Sequence, residues 1–451
     1  MSVVRVGRGL NQKSGPFAFS SRITLDQRKK PLVTDRLKPP DAPTGPHHAL
    51  TIPFTEFVAL AAILMALTAL SIDIMLPALS DIAREFNLAS ANDRQFVVFS
   101  YFIGLGPGQL VFGPLSDRFG RRPVLLLGVA IFIVASAIAL AAQSFEMLLA
   151  ARAMQGFGAA APRTVMVASV RDLFKGQQMA RVMSLIMMTF LLIPVLAPAI
   201  GQGLMVVGGW SAPFYALLAV GVVAFLWAGR RLPETRSAAA MDGGRVGILA
   251  ALRRVLTTRQ TVTYMLATGF IFGVLTSYIA SAQQIFVDIY HLGPWFPLAF
   301  AGTAGAMMAA SFLNSRIVVR LGSRRVSNAA LVGLLATGSV FYVSSWLPGG
   351  LPVLVTWLFL AIVLFLFGLI TANFNAIAME PQGEIAGMAS SILGFYTTLG
   401  GATFGLLIAG AFDGTVGPIS GGVAILAALT ILTILIGDRR LLLGPGDADR
   451  V

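Results

Sequence analysis

Among the charged residues inside long apolar runs of this chain, the types of two set the chemistry to look for. Asp73 lies in Leu70-Ser71-Ile72-Asp73-Ile74-Met75-Leu76-Pro77, and Arg152 in Ala151-Arg152-Ala153-Met154-Gln155-Gly156. An unpaired carboxylate in a hydrocarbon layer costs roughly 2.5–3.5 kcal/mol or more. Asp73 must therefore face a protein interior, pair with a cation, or take up a proton under desolvation. The helical rise puts it about 9 Å inside the outer end of its helix, and Arg152 about seven residues inside the outer end of the fourth. Opposite charges at one depth predict a pair. It is either a static structural ion pair or a proton-exchanging carboxyl answered by a cation. Further along the same helix, Arg152, Gln155, Gly156, Ala159 and Arg163 fall at i, i+3, i+4, i+7 and i+11. That is one stripe about 16 Å long, expected to wall a water-accessible cavity. Arg163 has a second reading, as an interfacial anchor snorkelling toward the headgroups.

These residues need helices to hold them, and the composition supplies them. Of 451 residues 56% are hydrophobic and 12% charged, with mean hydropathy +0.80. Soluble domains carry about 25% charge, whereas a membrane span needs about 20 mostly apolar residues. Apolar segments run over 54–79, 95–115, 123–142, 145–169, 182–206, 211–229, 262–286, 296–319, 326–346, 352–378, 387–411 and 417–437. The expected fold is an all-α membrane protein of twelve transmembrane helices in two pseudo-symmetric six-helix bundles. The expected bundles are 54–229 and 262–437, with a central loop at 230–261. A basic tail at 1–53 lacks the apolar core of a signal peptide and is expected to be disordered; 438–451 forms a second tail.

With the N-terminus in the cytoplasm, 29 of the 33 Lys and Arg residues fall on that side or in the tails there. The positive-inside bias then puts both termini in the cytoplasm. The net charge of +13 is read as topogenic, meeting the lipid bilayer and not nucleic acid. No cysteine is present, and the three histidines lie outside the apolar segments, so no metal centre is expected. No G-x-x-x-x-G-K-[ST] run is present to hold ATP. Any work must draw on an ion gradient or on the substrate's own, without a cofactor.

The loop between the second and third segments reads Gly113-Pro114-Leu115-Ser116-Asp117-Arg118-Phe119-Gly120-Arg121-Arg122. Arg118, Gly120 and Arg122 reappear as Arg320, Gly322 and Arg324 in the 8–9 loop, whereas Asp117 meets Val319. Parallel duplication of a six-helix unit puts a site at midplane between the halves. The run resembles motif A of the major facilitator superfamily. That resemblance implies a cytoplasmic gate built from Gly113, Asp117, Arg118, Gly120, Arg121 and Arg122. Arg152 with Gln155 and Gly156 resembles motif B, which implies a part in proton coupling alongside Asp73. Pro194-Val195-Leu196-Ala197-Pro198-Ala199-Ile200-Gly201 resembles motif C, the antiporter motif, here carried by Pro194, Pro198 and Gly201. With Arg171-Asp172-Leu173-Phe174 and Ala386-Gly387-Met388-Ala389-Ser390-Ser391, the chain resembles the bicyclomycin/chloramphenicol-resistance (Bcr/CflA) branch of drug:proton antiporters. The resemblance covers about 54–437.

In the second half Tyr278, Gln283, Asn373, Asn375 and Tyr396 are the candidate substrate contacts. Each has a plain alternative as glue between helices, at about 0.6 kcal/mol apiece. A mostly apolar cavity with scattered polar groups suits small neutral or amphipathic solutes. The resemblance implies a functional monomer in the inner membrane that exports such a small-molecule substrate against protons by alternating access. A carrier of a sugar, amino acid or polyamine is the alternative, and a non-transporting scaffold a remote one. An intramembrane enzyme lacks its pair of acids or its histidines.

Overall fold

The computed structural model describes residues 52–236 and 248–438. The expected tails, apart from 52–53 and 438, and part of the central loop lie outside the described residues. Twelve helices of 20 or more residues carry the fold: α1 Phe54–Asp73, α2 Phe96–Phe119, α3 Arg121–Leu140, α4 Phe145–Leu173, α5 Gly176–Gly208 and α6 Ala212–Arg231 in the first half. In the second half they are α7 Arg259–Gln283, α8 Phe296–Leu321, α9 Ser323–Ser344, α10 Val353–Met379, α11 Ala386–Gly410 and α12 Gly417–Gly437. No strand occurs among the described residues. Helices satisfy every backbone group within the segment, which a lipid solvent demands. By length and hydropathy alone ten runs among the described residues qualify as spans. The difference has a physical source: α5 and α6 run on across Gly209, and α4 falls short in hydropathy because it carries Arg152, Gln155 and Arg163.

The halves repeat in their packing. α2 packs on α4 as α8 packs on α10; α3 on α4 as α9 on α10; α1 on α5 as α7 on α11; and α3 on α6 as α9 on α12. Each pair returns six helices later, as a parallel duplication requires. The two short turns match as well. Gly120 between α2 and α3 has φ 95° and ψ 157°, and Gly322 between α8 and α9 has φ 79° and ψ 150°. A side chain is strained at such positive φ, so glycine is needed at both. Between the halves, α2 packs against α11 and α5 against α8.

The expected central loop is partly helical. Ile248–Thr257 forms a ten-residue helix, because Ala251 and Val255 lie one turn apart and are both buried. It packs on α7 and α11.

Candidate functional site

A cavity of about 690 Å³ lies between the halves, walled by α1, α2, α4 and α5 on one side and α7, α8, α10 and α11 on the other. Its inner wall includes Asp73, Tyr278 and Phe300, and it runs toward Asp117, Arg171 and Ser390. Arg171, Ala372, Asn375, Gly387 and Ser390 are exposed, so the mouth lies at the end where the α2–α3, α4–α5 and α10–α11 turns gather.

The opposite end is shut by polar side chains. The Arg94 guanidinium donates to the Asp288 carboxylate and, at 2.7 Å, to Ser80 Oγ. Gln95 donates to Gln284 Oε1 and to the Ala409 carbonyl at 2.8 Å. Gln284 in turn donates to Asn92 Oδ1 at 2.8 Å, and Asn92 to the Gly410 and Phe412 carbonyls. Gln284 and Asp288 sit on a π-helical turn, Gln284–Ile289, that continues α7; such turns re-aim side chains at functional places. The sequence reading gave no part here to Arg94, Gln95 or Asp288, because each lies near a helix end where polar residues are ordinary. Arg94–Asp288 is the one ion pair joining the halves among the described residues. Asp288 is part-exposed, so the pair is worth about 1 kcal/mol, or about fivefold in population. In an Arg94→Gln protein, a cysteine placed at the buried Ala409 should react with a maleimide about five times faster than in the parent. An unchanged rate would show that the amide contacts alone hold this end.

Asp73 lines the cavity at 4% exposure, and no hydrogen bond or ion pair engages its carboxylate among the described residues. The expected contact with Arg152 does not form. Arg152 is fully buried and off the cavity, with its guanidinium already taken. Nη2 donates to the Ser71 carbonyl at 3.0 Å, Nε to the Val97 carbonyl at 3.2 Å and Nη1 to Gln155 Oε1. Its cationic carbon lies 4.8 Å from the Tyr101 ring centre. Gln155 passes the chain of bonds to Ser136 Oγ at 2.8 Å.

The cavity stripe on α4 is therefore corrected. Arg163 lines the cavity; Arg152, Gln155 and Gly156 do not. Gly156 is pressed on α2, where a Cβ would come within 1.9 Å of the Tyr101 carbonyl oxygen. The small residues on this face serve close helix contact. The stripe reaches open space only beyond it.

Asp117 binds Arg121 at 2.7 Å and Arg236 at 2.8 Å, and Arg121 also reaches Asp172 at 2.8 Å. Glu234 accepts the backbone amides of Arg121 and Arg122 at 2.8 and 3.0 Å, capping the positive end of α3 with an anion. Asp172, Glu234 and Arg236 complete this network, and sequence reasoning gave them no part in it. The network ties α2, α3, α4 and the segment after α6 and makes no bond to α11 among the described residues. Arg122 also donates to the Gly229 carbonyl, whereas Arg118 is exposed over Phe119. Gly113 lets α2 meet α11, since a Cβ there would lie 2.5 Å from Ser391 Oγ. In the second half, where Val319 replaces the acid, Arg324 pairs with Asp438.

On α5, Pro194 lines the cavity and Pro198 is buried. Gly201 sits against the end of α1, where a Cβ would be 2.2 Å from the Ile74 carbonyl oxygen. Of the candidate substrate contacts, Tyr278 and Asn375 line the cavity. Tyr278 stacks on Phe300 and shares a hydrogen bond with Thr303. The other three do not line it. Gln283 bonds Ser80 at the shut end, Asn373 donates to Asn314 Oδ1 at 2.8 Å, and Tyr396 packs over Gly269. These are inter-helix bonds and packing, as polar and aromatic groups inside bundles commonly make.

A pocket walled by two repeated bundles, reachable from one end and closed at the other, defines a multi-pass membrane transporter. The sequence pattern of the Major Facilitator Superfamily matches residues 61–405, and the chain belongs to that superfamily. It is 32% identical over 358 residues to a bicyclomycin resistance protein homolog of Haemophilus influenzae, covering 78% of this chain and 88% of the relative. It is 29% identical over 367 residues to multidrug resistance protein D of Escherichia coli K12, covering 78% and 88%. These relatives are in keeping with the Bcr/CflA branch. Among solved structures, the xylose transporter XylE of E. coli, in a partially occluded inward-open conformation, shares the fold with a TM-score of 0.64. That match has 14% identity and covers 85% of this chain and 97% of XylE.

Proposed function

We propose that this protein is a proton-coupled exporter of small amphipathic or neutral compounds, working by alternating access in the inner membrane with both termini in the cytoplasm. One observation carries the reading: Asp73 is a buried carboxylate on the cavity wall with no partner among the described residues. Such a group is held charged by nothing fixed, so a proton or a bound solute decides its state. The resistance names of the relatives support a drug-like substrate. Arg152 takes a different part from the one its depth suggested. It holds the α1 backbone at Ser71, two residues before Asp73, and so positions the carboxylate without touching it.

The basic turns cluster at the mouth, so the positive-inside rule makes this an inward-facing state. The absence of cysteine gives a direct test. Asn375→Cys should be alkylated by a membrane-impermeant maleimide in inverted vesicles and spared in right-side-out spheroplasts. The reverse pattern would turn the orientation over. Export is tested by expressing the protein in a host stripped of its own pumps and measuring accumulation of a drug panel with and without an uncoupler. Lower accumulation that the uncoupler abolishes is expected; no uncoupler-sensitive difference for any compound would remove the reading.

A further inference from the structure

Among the described residues five charged side chains line the cavity: Asp73, Asp117, Arg121, Arg163 and Arg171. Asp117 and Arg121 neutralise each other, with Asp172 and Arg236 adding to the network. Arg171 is exposed at the mouth. Arg163 differs from both of these arginines. It lies two turns deeper on α4, about 12 Å from Arg171 along the helix, and makes no hydrogen bond or ion pair among the described residues. The contrast with Arg152 on the same helix is direct, since Arg152 has its guanidinium occupied on three sides. A guanidinium stays charged and offers five donors in a planar fork. Among the described residues, the second half contributes no Asp or Glu to the cavity wall.

We infer that Arg163 is a binding site for the anionic group of the transported solute, and that the favoured substrates are amphiphiles with an apolar body and a carboxylate or sulfonate. This rests on the export reading above and specifies its substrate class. The cavity is of a size that holds a drug-like molecule, and Phe102, Phe272, Phe300 and Phe367 supply apolar wall. A planar oxyanion can take two of the Arg163 donors in parallel, the strongest geometry open to a guanidinium. A neutral amide of the same shape gains no charge-assisted bond there.

Dansylglycine and its neutral isostere dansylglycinamide make the test, titrated by fluorescence against the full chain in phosphatidylcholine nanodiscs. The parent protein should bind the carboxylate at least tenfold more tightly than the amide. Arg163→Gln should abolish that preference while keeping amide affinity, and Arg163→Lys should restore part of it. Equal affinities in the parent overturn the inference whether or not any variant folds, and so does a preference that survives in Arg163→Gln. Repeating the titration with phosphatidylglycerol in the discs separates a soluble anion from a lipid headgroup. Unchanged affinity supports the solute site, whereas loss of dansylglycine binding assigns Arg163 to lipid phosphate and overturns it. Export is read separately in cells. A preference without uncoupler-sensitive efflux would leave this site standing and remove the export reading; efflux without the preference would do the opposite.

Discussion

An Asp73→Asn protein should reach the membrane in parental amount and yet lose uncoupler-sensitive efflux down to the background of cells lacking the protein. Asparagine keeps the size and polarity of the side chain, and the structure gives the carboxylate no bond that the amide would break. What disappears is the exchangeable proton. Downhill exchange of substrate across vesicles without a gradient should continue, because the cavity wall is otherwise unaltered. That split between coupled and uncoupled movement is the readout. Full resistance in Asp73→Asn cells would take Asp73 out of the mechanism and leave a passive carrier.

Replacing Arg152 should act by another route. Arg152→Met strands the Ser71 carbonyl and Gln155 Oε1, buried groups that Arg152 bonds, and takes one donor from the Val97 carbonyl, which keeps Ser100 Oγ. Each orphaned buried acceptor costs about 1–3 kcal/mol, a large share of the stability of a folded domain. The purified protein should therefore melt roughly 10 °C lower and accumulate poorly. Lysine should not restore it, since one ammonium cannot span three acceptors placed around a planar fork. Asp73→Asn should melt close to the parent, so thermal stability in detergent separates a positioning residue from a coupling one. An Arg152→Met protein that is stable but uncoupled would mean that Arg152 acts on the proton after all.

Much of the fold was legible because lipid imposes a simple grammar. Twelve apolar runs became twelve helices, and the repeated Arg118-Phe119-Gly120 and Arg320-Leu321-Gly322 turns took nearly one backbone conformation. The site was legible only in part. Periodicity groups Arg152 and Arg163 on one face of α4 but says nothing about what that face meets. The same face is clamped on α2 at Gly156 and free at Arg163. Matched depth brought Asp73 and Arg152 to one level, yet depth is one coordinate of three, and Arg152 found neutral acceptors nearer. The shut end was invisible because its bonds join residues as distant as Asn92 and Phe412, near-terminal polar groups with no pattern of their own. Glu234 follows α6 in sequence and ends on α3, which only the tertiary structure reveals.

The seat of Gly201 on the Ile74 carbonyl has a mechanical consequence. Seven residues earlier on the same helix, Pro194 faces the compartment where a solute would rest, about 10 Å away. The stretch between them has one end on the cavity wall and the other on the backbone beside Asp73. In the proposed exporter, a guest pressing on Pro194 would then act on the backbone beside Asp73 through α5 as well as through the cavity wall they share.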